Sequence, residues 1–341
     1  MIPRTTIKWQ AETWQSSLKS AITSLVELCD VLALDPNQVL SGENSTADFP
    51  LKVPREFVNR MEKGNPRDPL LLQVLPVAQE LDIHPGYSQD PLKEHAANPI
   101  PGLLHKYHGR VLLTVAGSCA INCRYCFRRH FPYQDNNPGR QGWHKALDYI
   151  REHDDISEVI LSGGDPLLAS DSLLAELCQA IADIPHVTIL RIHSRLPIVT
   201  PSRINDKLLN WLTGTRLQPV VVMHCNHPQE IDTEVGHALQ ALQQANVTSL
   251  NQTVLLRDIN DNAGVLAQLS HTLFKHGCLP YYLHQLDPVQ GSAHFALEPT
   301  RIRALYDALL RQLPGYLVPK LVKEIAGVPY KSPLSVDGIY S

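Results

Sequence analysis

From residue 105 onward, short runs of apolar residues alternate with longer stretches whose apolar positions recur every three or four residues. The short runs predict strands over 111–115, 158–162, 188–193, 220–224, 249–255 and 281–285. The longer stretches predict helices over 143–153, 172–181, 204–213, 230–244, 262–276 and 300–312. Repeated β/α alternation of this kind predicts an α/β fold: a parallel sheet curved into a partial or complete (β/α) barrel, with an open doubly wound sheet as the alternative. Residues with chemical character fall repeatedly at the predicted strand ends, where this architecture builds active sites.

The first 95 residues carry a different pattern. Trp14, Leu18, Ile22, Leu25 and Leu28 recur near helical spacing and predict one helix over 9–34, stopped by Asp35-Pro36. Phe57, Val58 and Met61 predict a second helix, and the run 70–75 between Pro69 and Pro76 predicts a short buried helical turn. Pro85, Pro91, Pro99 and Pro101 make 85–101 a connection with little regular structure. Residues 1–95 are therefore assigned to a helical accessory region and 96–341 to the barrel domain.

Composition narrows the function classes. With 341 residues, 43% of them hydrophobic, the chain can bury a substantial core. A formal net charge of -4 offers no broad basic surface for nucleic acid. Seven cysteines, clustered at one place only, do not form an extracellular disulfide framework and suit a reducing compartment. The N-terminus has no secretory apolar segment, and no run approaches the roughly 20 apolar residues a membrane span needs. A cytoplasmic location is expected.

The cluster of cysteines is Cys119-Ala120-Ile121-Asn122-Cys123-Arg124-Tyr125-Cys126, a CxxxCxxC run just after the first predicted barrel strand. Three thiolates at this spacing can hold three irons of a [4Fe-4S] cluster and leave the fourth open to a small molecule. Two other readings stand beside it: a zinc site with His130 as fourth ligand, and ordinary buried or redox cysteines. A second motif, Leu161-Ser162-Gly163-Gly164-Asp165-Pro166, ends the next strand. Gly163 and Gly164 permit close approach of a ligand, and Asp165 or a neighbouring carbonyl can receive a ligand ammonium group; a sharp structural turn is the plainer reading.

Together the two motifs resemble those of the radical S-adenosylmethionine enzymes. The resemblance implies that Cys119, Cys123 and Cys126 hold a [4Fe-4S] cluster whose open iron chelates S-adenosyl-L-methionine, and that an external one-electron reductant triggers its cleavage to a 5′-deoxyadenosyl radical. It narrows at Cys126-Phe127-Arg128-Arg129-His130-Phe131, at Leu190-Arg191-Ile192-His193-Ser194-Arg195-Leu196-Pro197 and at Asn251-Gln252-Thr253-Val254-Leu255-Leu256-Arg257. With Tyr281-Tyr282 through Asp287 and the tail around Gly315-Tyr316, these segments are similar to the lysine 2,3-aminomutase family from about residue 65 onward.

That family moves the amino group of an amino acid from C2 to C3 with pyridoxal 5′-phosphate as the nitrogen carrier. The resemblance implies Lys331, after Ala326-Gly327-Val328-Pro329-Tyr330, as the lysine that holds the cofactor, although Lys320 and Lys323 compete on chemistry alone and the segment has lost much of the family's glycine character. It implies Arg110 as a phosphate clamp, Arg128 as the partner of the substrate carboxylate, and His193, Arg195, Asn251 and Gln252 as weaker candidates for lining the cofactor cavity, each of which could instead close a polar network at a strand end. Asp287 and Glu324 fall where the distal ammonium of L-lysine is received; Glu324 replaces an aspartate and moves its carboxylate by roughly 1.5 Å.

The chain stops at Ser341, soon after Lys331, and Asn262 stands where a zinc-ligating cysteine would be expected. Loss of the family's tail zinc and of its associated tetramer is expected. The short tail and helical N-terminal region look like the branch that supplies (R)-β-lysine to a lysyl-tRNA-synthetase-like ligase for modification of translation elongation factor P. Catabolic lysine or glutamate aminomutation is the enzymatic alternative, and an iron-sulfur or zinc protein-binding scaffold the non-enzymatic one.

Overall fold

The computed structural model of the protein describes residues 13–39, 49–133 and 139–334. Among them run nine strands: β1 Leu103–Tyr107, β2 Arg110–Ala116, β3 Glu158–Gly163, β4 Ile189–Ser194, β5 Gln218–His224, β6 Thr248–Val254, β7 Leu279–His284, β8 Lys320–Lys323 and β9 Ser332–Pro333. Their order in the sheet is their order in the chain. β2 to β8 are all parallel, while β1 and β9 pair antiparallel at the two edges. All six strands expected from the sequence are present. β1, β8 and β9 escaped it: Leu-Leu-His-Lys-Tyr and Lys-Leu-Val-Lys mix polar with apolar residues, and Ser332–Pro333 is only two residues long.

Sequential order without a reversal excludes the doubly wound alternative, which needs a switch point. Curvature follows from one contact. Lys106 on β1 reaches Glu324, just beyond β8, at 3.2 Å. In a flat sheet these strands, seven spacings apart, would lie about 34 Å from each other at ~4.8 Å per spacing. The sheet is therefore curled into a partial barrel whose two edges are joined by side chains.

Helices Gly139–Glu152, Asp171–Ala182, Asp206–Thr213, Thr233–Gln244, Ala263–Lys275 and Pro299–Gln312 return the chain outside the strands. Four begin on a side chain that accepts a backbone N–H of the first turn: Ser170, Asn205, Asp232 and Asn262. Such caps contribute about 1 kcal/mol each. Strand parity then separates two environments. Leu190, Ile192, Val221 and Met223 pack outward into the main core with Leu174, Leu177 and Leu239. His193, His224, Gln252, Tyr282 and His284 occupy the other face and leave the lumen polar.

The accessory region departs from its expected form. Instead of one helix over 9–34, the described part holds Thr13–Lys19 and Leu25–Leu32. Ile22 between them forms a backbone bridge with Val53, and Ser24 caps the second helix by accepting from Glu27 N–H. Apolar spacing carries across the break, so the pattern alone does not reveal it. The second helix shortens to Arg55–Val58. Ile22, Leu28, Phe57 and Leu70 share one hydrophobic core with Val111 and Leu113 of β2. No described helix is long and apolar enough to cross a membrane.

Candidate active site

The cysteine run leaves the end of β2 and is held from both sides. On the accessory side, Lys52 Nζ donates to the Cys119 carbonyl at 2.8 Å and Asn122 Nδ2 to the Pro50 carbonyl at 2.9 Å. Arg124, fully buried, forms an ion pair with Glu80, which also receives Arg129 Nη2 at 2.7 Å. On the barrel side, Gly164 N–H donates to the Ala116 carbonyl at 2.7 Å and Asp165 N–H to the Ser118 carbonyl at 2.9 Å. A Cβ on Gly164 would sit 2.1 Å from the Ser118 carbonyl oxygen, and one on Gly163, whose φ is +119°, would sit 2.6 Å from the Ala116 carbonyl oxygen. These glycines are required by the close approach of the β3 end to the cysteine loop.

Burial pushes the Cys119 thiol well up, with Cys126, Asp165 and Cys123 adding to it. Burial, reinforced by Cys123, pushes Cys126 up to about 11. Two thiols, Cys119 and Cys126, that resist ionising alone suit a centre whose cations take the place of their protons. Among the described residues no three His, Cys, Asp or Glu side chains gather closely enough to share one metal ion. His130 Nε2, the fourth ligand of the zinc reading, lies 3.3 Å from the Gln290 carbonyl. A cubane spreads its ligands over separate irons, and the cysteine loop fits it.

Beside the cysteines the structure assembles a chain of alternating charges. Arg128 Nε and Nη2 donate to the two Glu94 carboxylate oxygens at 2.7 and 2.9 Å. Lys106 Nζ donates to Glu94 Oε1 at 2.9 Å and to Glu324 Oε1 at 3.2 Å. Lys331 Nζ closes the chain on Glu324 Oε2 at 2.5 Å. Arg128, Glu324 and Lys331, separated widely in sequence, therefore meet. Burial opposes ionisation of Glu94 and Glu324, but Arg128 beside the first and Lys331 beside the second hold both down to about 2. Asp287 joins the same cluster through its charge alone. Burial raises it, and Glu324 adds to the effect, to about 7.

The lumen continues this site. Gln252 Nε2 lies 2.8 Å from His224 Nε2, and the His193 and His224 ring centroids are 6.2 Å apart. Lys331 Nζ stands 6.0 Å from the Tyr282 ring centroid. Burial first, and nearby cations second, hold His193 well below its ordinary range and His224 at about 3, so both imidazoles are neutral. The buried Nε2 of His193 has no hydrogen-bond partner among the described residues. An orphaned ring nitrogen beside a lysine and a carboxylate fits an aromatic, hydrogen-bonding cofactor such as pyridoxal phosphate. Arg110 opens β2 and its guanidinium lies 4.7 Å from the Tyr107 ring. The Tyr107 hydroxyl in turn meets Glu324.

Three sequence expectations change. Asp165 does not offer its carboxylate to a ligand: Oδ1 accepts from Ser194 Oγ at 2.7 Å and Leu167 N–H at 3.1 Å, and Oδ2 from the Arg195 and Leu196 N–H groups at 2.8 and 3.1 Å. Asn251 does not line the cavity, since neighbours on a strand face opposite ways and Gln252 takes the lumen side. Buried on the helix side, Asn251 ties Cys225 backbone N–H and C=O to β6 at 2.9 and 3.0 Å. Arg195 lies at the cysteines instead, 2.6 Å from Cys123 Sγ.

Glu94 and Lys106 were not legible as site residues. Glu94 sits in the proline-rich connection, and Lys106 sits in a strand the pattern did not mark. Glu80 and Glu230, buried partners of motif arginines, likewise carry no local signature. Only packing gives each of these charges its partner.

The family model of a 4Fe-4S single cluster domain matches residues 108–191. Along nearly the whole chain the protein is similar to the L-lysine 2,3-aminomutases of Escherichia coli and Haemophilus influenzae. The first is 50% identical over 96% of this chain and 95% of its own. The second is 48% identical over 97% and 98%. The L-lysine 2,3-aminomutase of Clostridium subterminale is 34% identical over 96% of this chain and 79% of its own. A radical SAM methyltransferase structure from Sphaerobacter thermophilus aligns over 65% of this chain and 68% of its own at a TM-score of 0.45 and 14% identity. Strand order, the cysteine loop and this full-length similarity lead to one conclusion: the chain belongs to the L-lysine 2,3-aminomutase family of radical S-adenosylmethionine enzymes.

Proposed function

We propose that the protein is an isomerase that shifts the α-amino group of L-lysine to C3, giving (R)-β-lysine. The observation that carries this reading is the meeting of Arg128, Asp287, Glu324 and Lys331 in one charged cluster beside the three cysteines. When bound, the [4Fe-4S] cluster with S-adenosylmethionine supplies hydrogen abstraction and pyridoxal phosphate supplies the nitrogen carrier.

Cys119, Cys123 and Cys126 would hold the cluster, on a loop fixed by the β3 end at Gly163-Gly164. Lys331 is the lysine for pyridoxal phosphate, with His193 and Gln252 on the lumen wall and Arg110 as the phosphate cation at the rim. Arg128 binds the substrate carboxylate through its planar fork, the geometry it already uses for Glu94. Glu94 acts as an internal stand-in that yields this seat to substrate. Asp287 and Glu324 receive the distal ammonium, and Asp287 loses the proton on its carboxyl as that cation arrives. A distal carboxylate in the same place would face two acidic groups, which selects lysine over glutamate.

Anaerobic assay with reductant, S-adenosylmethionine, pyridoxal phosphate and isotopically labelled L-lysine tests the reading. Labelled β-lysine, lost in Cys126→Ala, is expected; no product with cluster and cofactor both bound would overturn it. The narrower reading, that the product serves modification of elongation factor P, rests on the sequence resemblance alone. Mass change of that factor in the presence of the enzyme, its lysyl-tRNA-synthetase-like ligase and lysine is the measurement for that step.

A further inference from the structure

Arg195 begins the turn after β4, in helical backbone conformation at φ −98° and ψ −10°. Its Nη1 donates to Cys123 Sγ at 2.6 Å and to the Tyr125 hydroxyl at 2.7 Å. Its Nη2 donates to Gln73 Oε1 at 2.7 Å and to Glu230 Oε2 at 3.2 Å. Glu230 is itself fixed, accepting from Gln73 Nε2 at 3.1 Å and from the Asn226 and His227 N–H groups at 2.9 and 3.1 Å. The guanidinium packs between the Phe57 and Tyr125 rings, with centroids at 5.4 and 5.6 Å. Below it, the Asp165 carboxylate pins the Arg195 backbone N–H. Both Nη atoms are held, Nε is buried without a hydrogen-bond partner among the described residues, and the fork ends on a cysteine sulfur.

A buried cation would be costly if its only purpose were to satisfy Glu230, since a well-packed apolar pair serves stability as well. Its contact with sulfur has a specific electrostatic consequence. An electron added to a cluster increases negative charge on the ligating sulfurs, so an N–H donor aimed at one of them favours the reduced state and raises the reduction potential. The low dielectric around Arg195 enlarges that effect.

We infer that Arg195 is a positioning residue for the cluster, which orients the Cys123 thiolate and raises the potential at which the cluster accepts its electron. One electron passes from an external low-potential one-electron donor to the cluster, whose formal charge falls by one; no bond is broken and no proton moves in this step. The inference rests on the proposed cluster at these cysteines and adds a role to a residue expected at the pyridoxal phosphate cavity.

The test compares the wild-type protein with Arg195→Lys and with the double variant Arg195→Gln/Glu230→Gln, which avoids leaving Glu230 buried and unpaired. Each is reconstituted anaerobically, its iron and sulfide are counted, and its midpoint potential is read by EPR-monitored titration with dithionite. The double variant is expected to titrate more negatively by a tenfold change in the one-electron equilibrium, about 59 mV. Arg195→Lys, which keeps the cation but not the fork, is expected to shift less in the same direction. Wild-type potentials in both variants at full cluster content would overturn the inference. So would full cluster content and wild-type potential in Arg195→Lys should the double variant fail to fold. Absence of any cluster in the reconstituted wild-type protein would instead defeat the underlying reading of the cysteines.

Discussion

Lys106 on the first strand and Glu324 beyond the eighth stand 3.2 Å apart, and their contact brings the opposite edges of the sheet together at the site. Because Glu94 on one side and Lys331 on the other extend the same charge chain, barrel curvature and site assembly are one event. A change to any link is felt by its neighbours.

Asp287 sets a pH dependence. Its carboxyl is raised to about 7 by burial and by Glu324, so it is largely protonated in the free protein below that pH and cannot pair with an ammonium. Activity as kcat/KM for L-lysine is expected to climb as pH rises through about 7 and then level, since that ratio reports ionisations of the free enzyme. For stability the sign is opposite: a folded pKa above the unfolded value favours the protonated folded state, a contribution present below about pH 4 and lost as pH rises through about 7. Asp287→Asn should remove the kinetic step and lower kcat/KM roughly thirtyfold or more, corresponding to about 2 kcal/mol or more for a lost buried charge contact. An unchanged pH profile in that variant would contradict the assignment.

On the proposed reading, Glu94 competes with substrate for Arg128. Glu94→Gln leaves the guanidinium without its internal anion, so KM for L-lysine is expected to fall severalfold while stability drops by about 3 kcal/mol, as when a buried ion pair loses one partner. Steady-state kinetics and denaturant unfolding measure the two effects. A raised KM would mean that Glu94 orients Arg128 instead of yielding to substrate.

Gly164→Ala should release the cysteine loop. The new Cβ would lie 2.1 Å from a backbone oxygen of Ser118, which has no flexible end to give way. Iron content after reconstitution is expected to fall at least severalfold, with far-ultraviolet circular dichroism retained because the barrel strands remain paired. Full iron loading would show that the loop tolerates the displacement.

Lys331 is expected to carry the cofactor. Borohydride reduction of the pyridoxal-phosphate-loaded protein followed by peptide mapping should place the label on Lys331, and Lys331→Ala should abolish both label and β-lysine formation. Label on Lys106 instead would reassign the cofactor lysine, since the two amines share Glu324.

The sequence by itself determined the strand–helix order and the cysteine spacing, because both are local: strand parity, helical periodicity and eight contiguous residues are visible without any fold. It also named Arg128, Asp287, Glu324 and Lys331 as site candidates by resemblance. It could not say that Asn251 and Gln252 would divide between helix side and lumen, although the two-residue period already forbade both from facing inward. Tertiary structure alone decided the partners. Glu94 and Lys106 become site residues only when the curled sheet delivers them to Glu324, and Arg195 becomes a neighbour of Cys123 only when β4 is stacked beside the cysteine loop. Charges buried at such distances in sequence have no local signature; their cost and their use both depend on which opposite charge the fold sets against them.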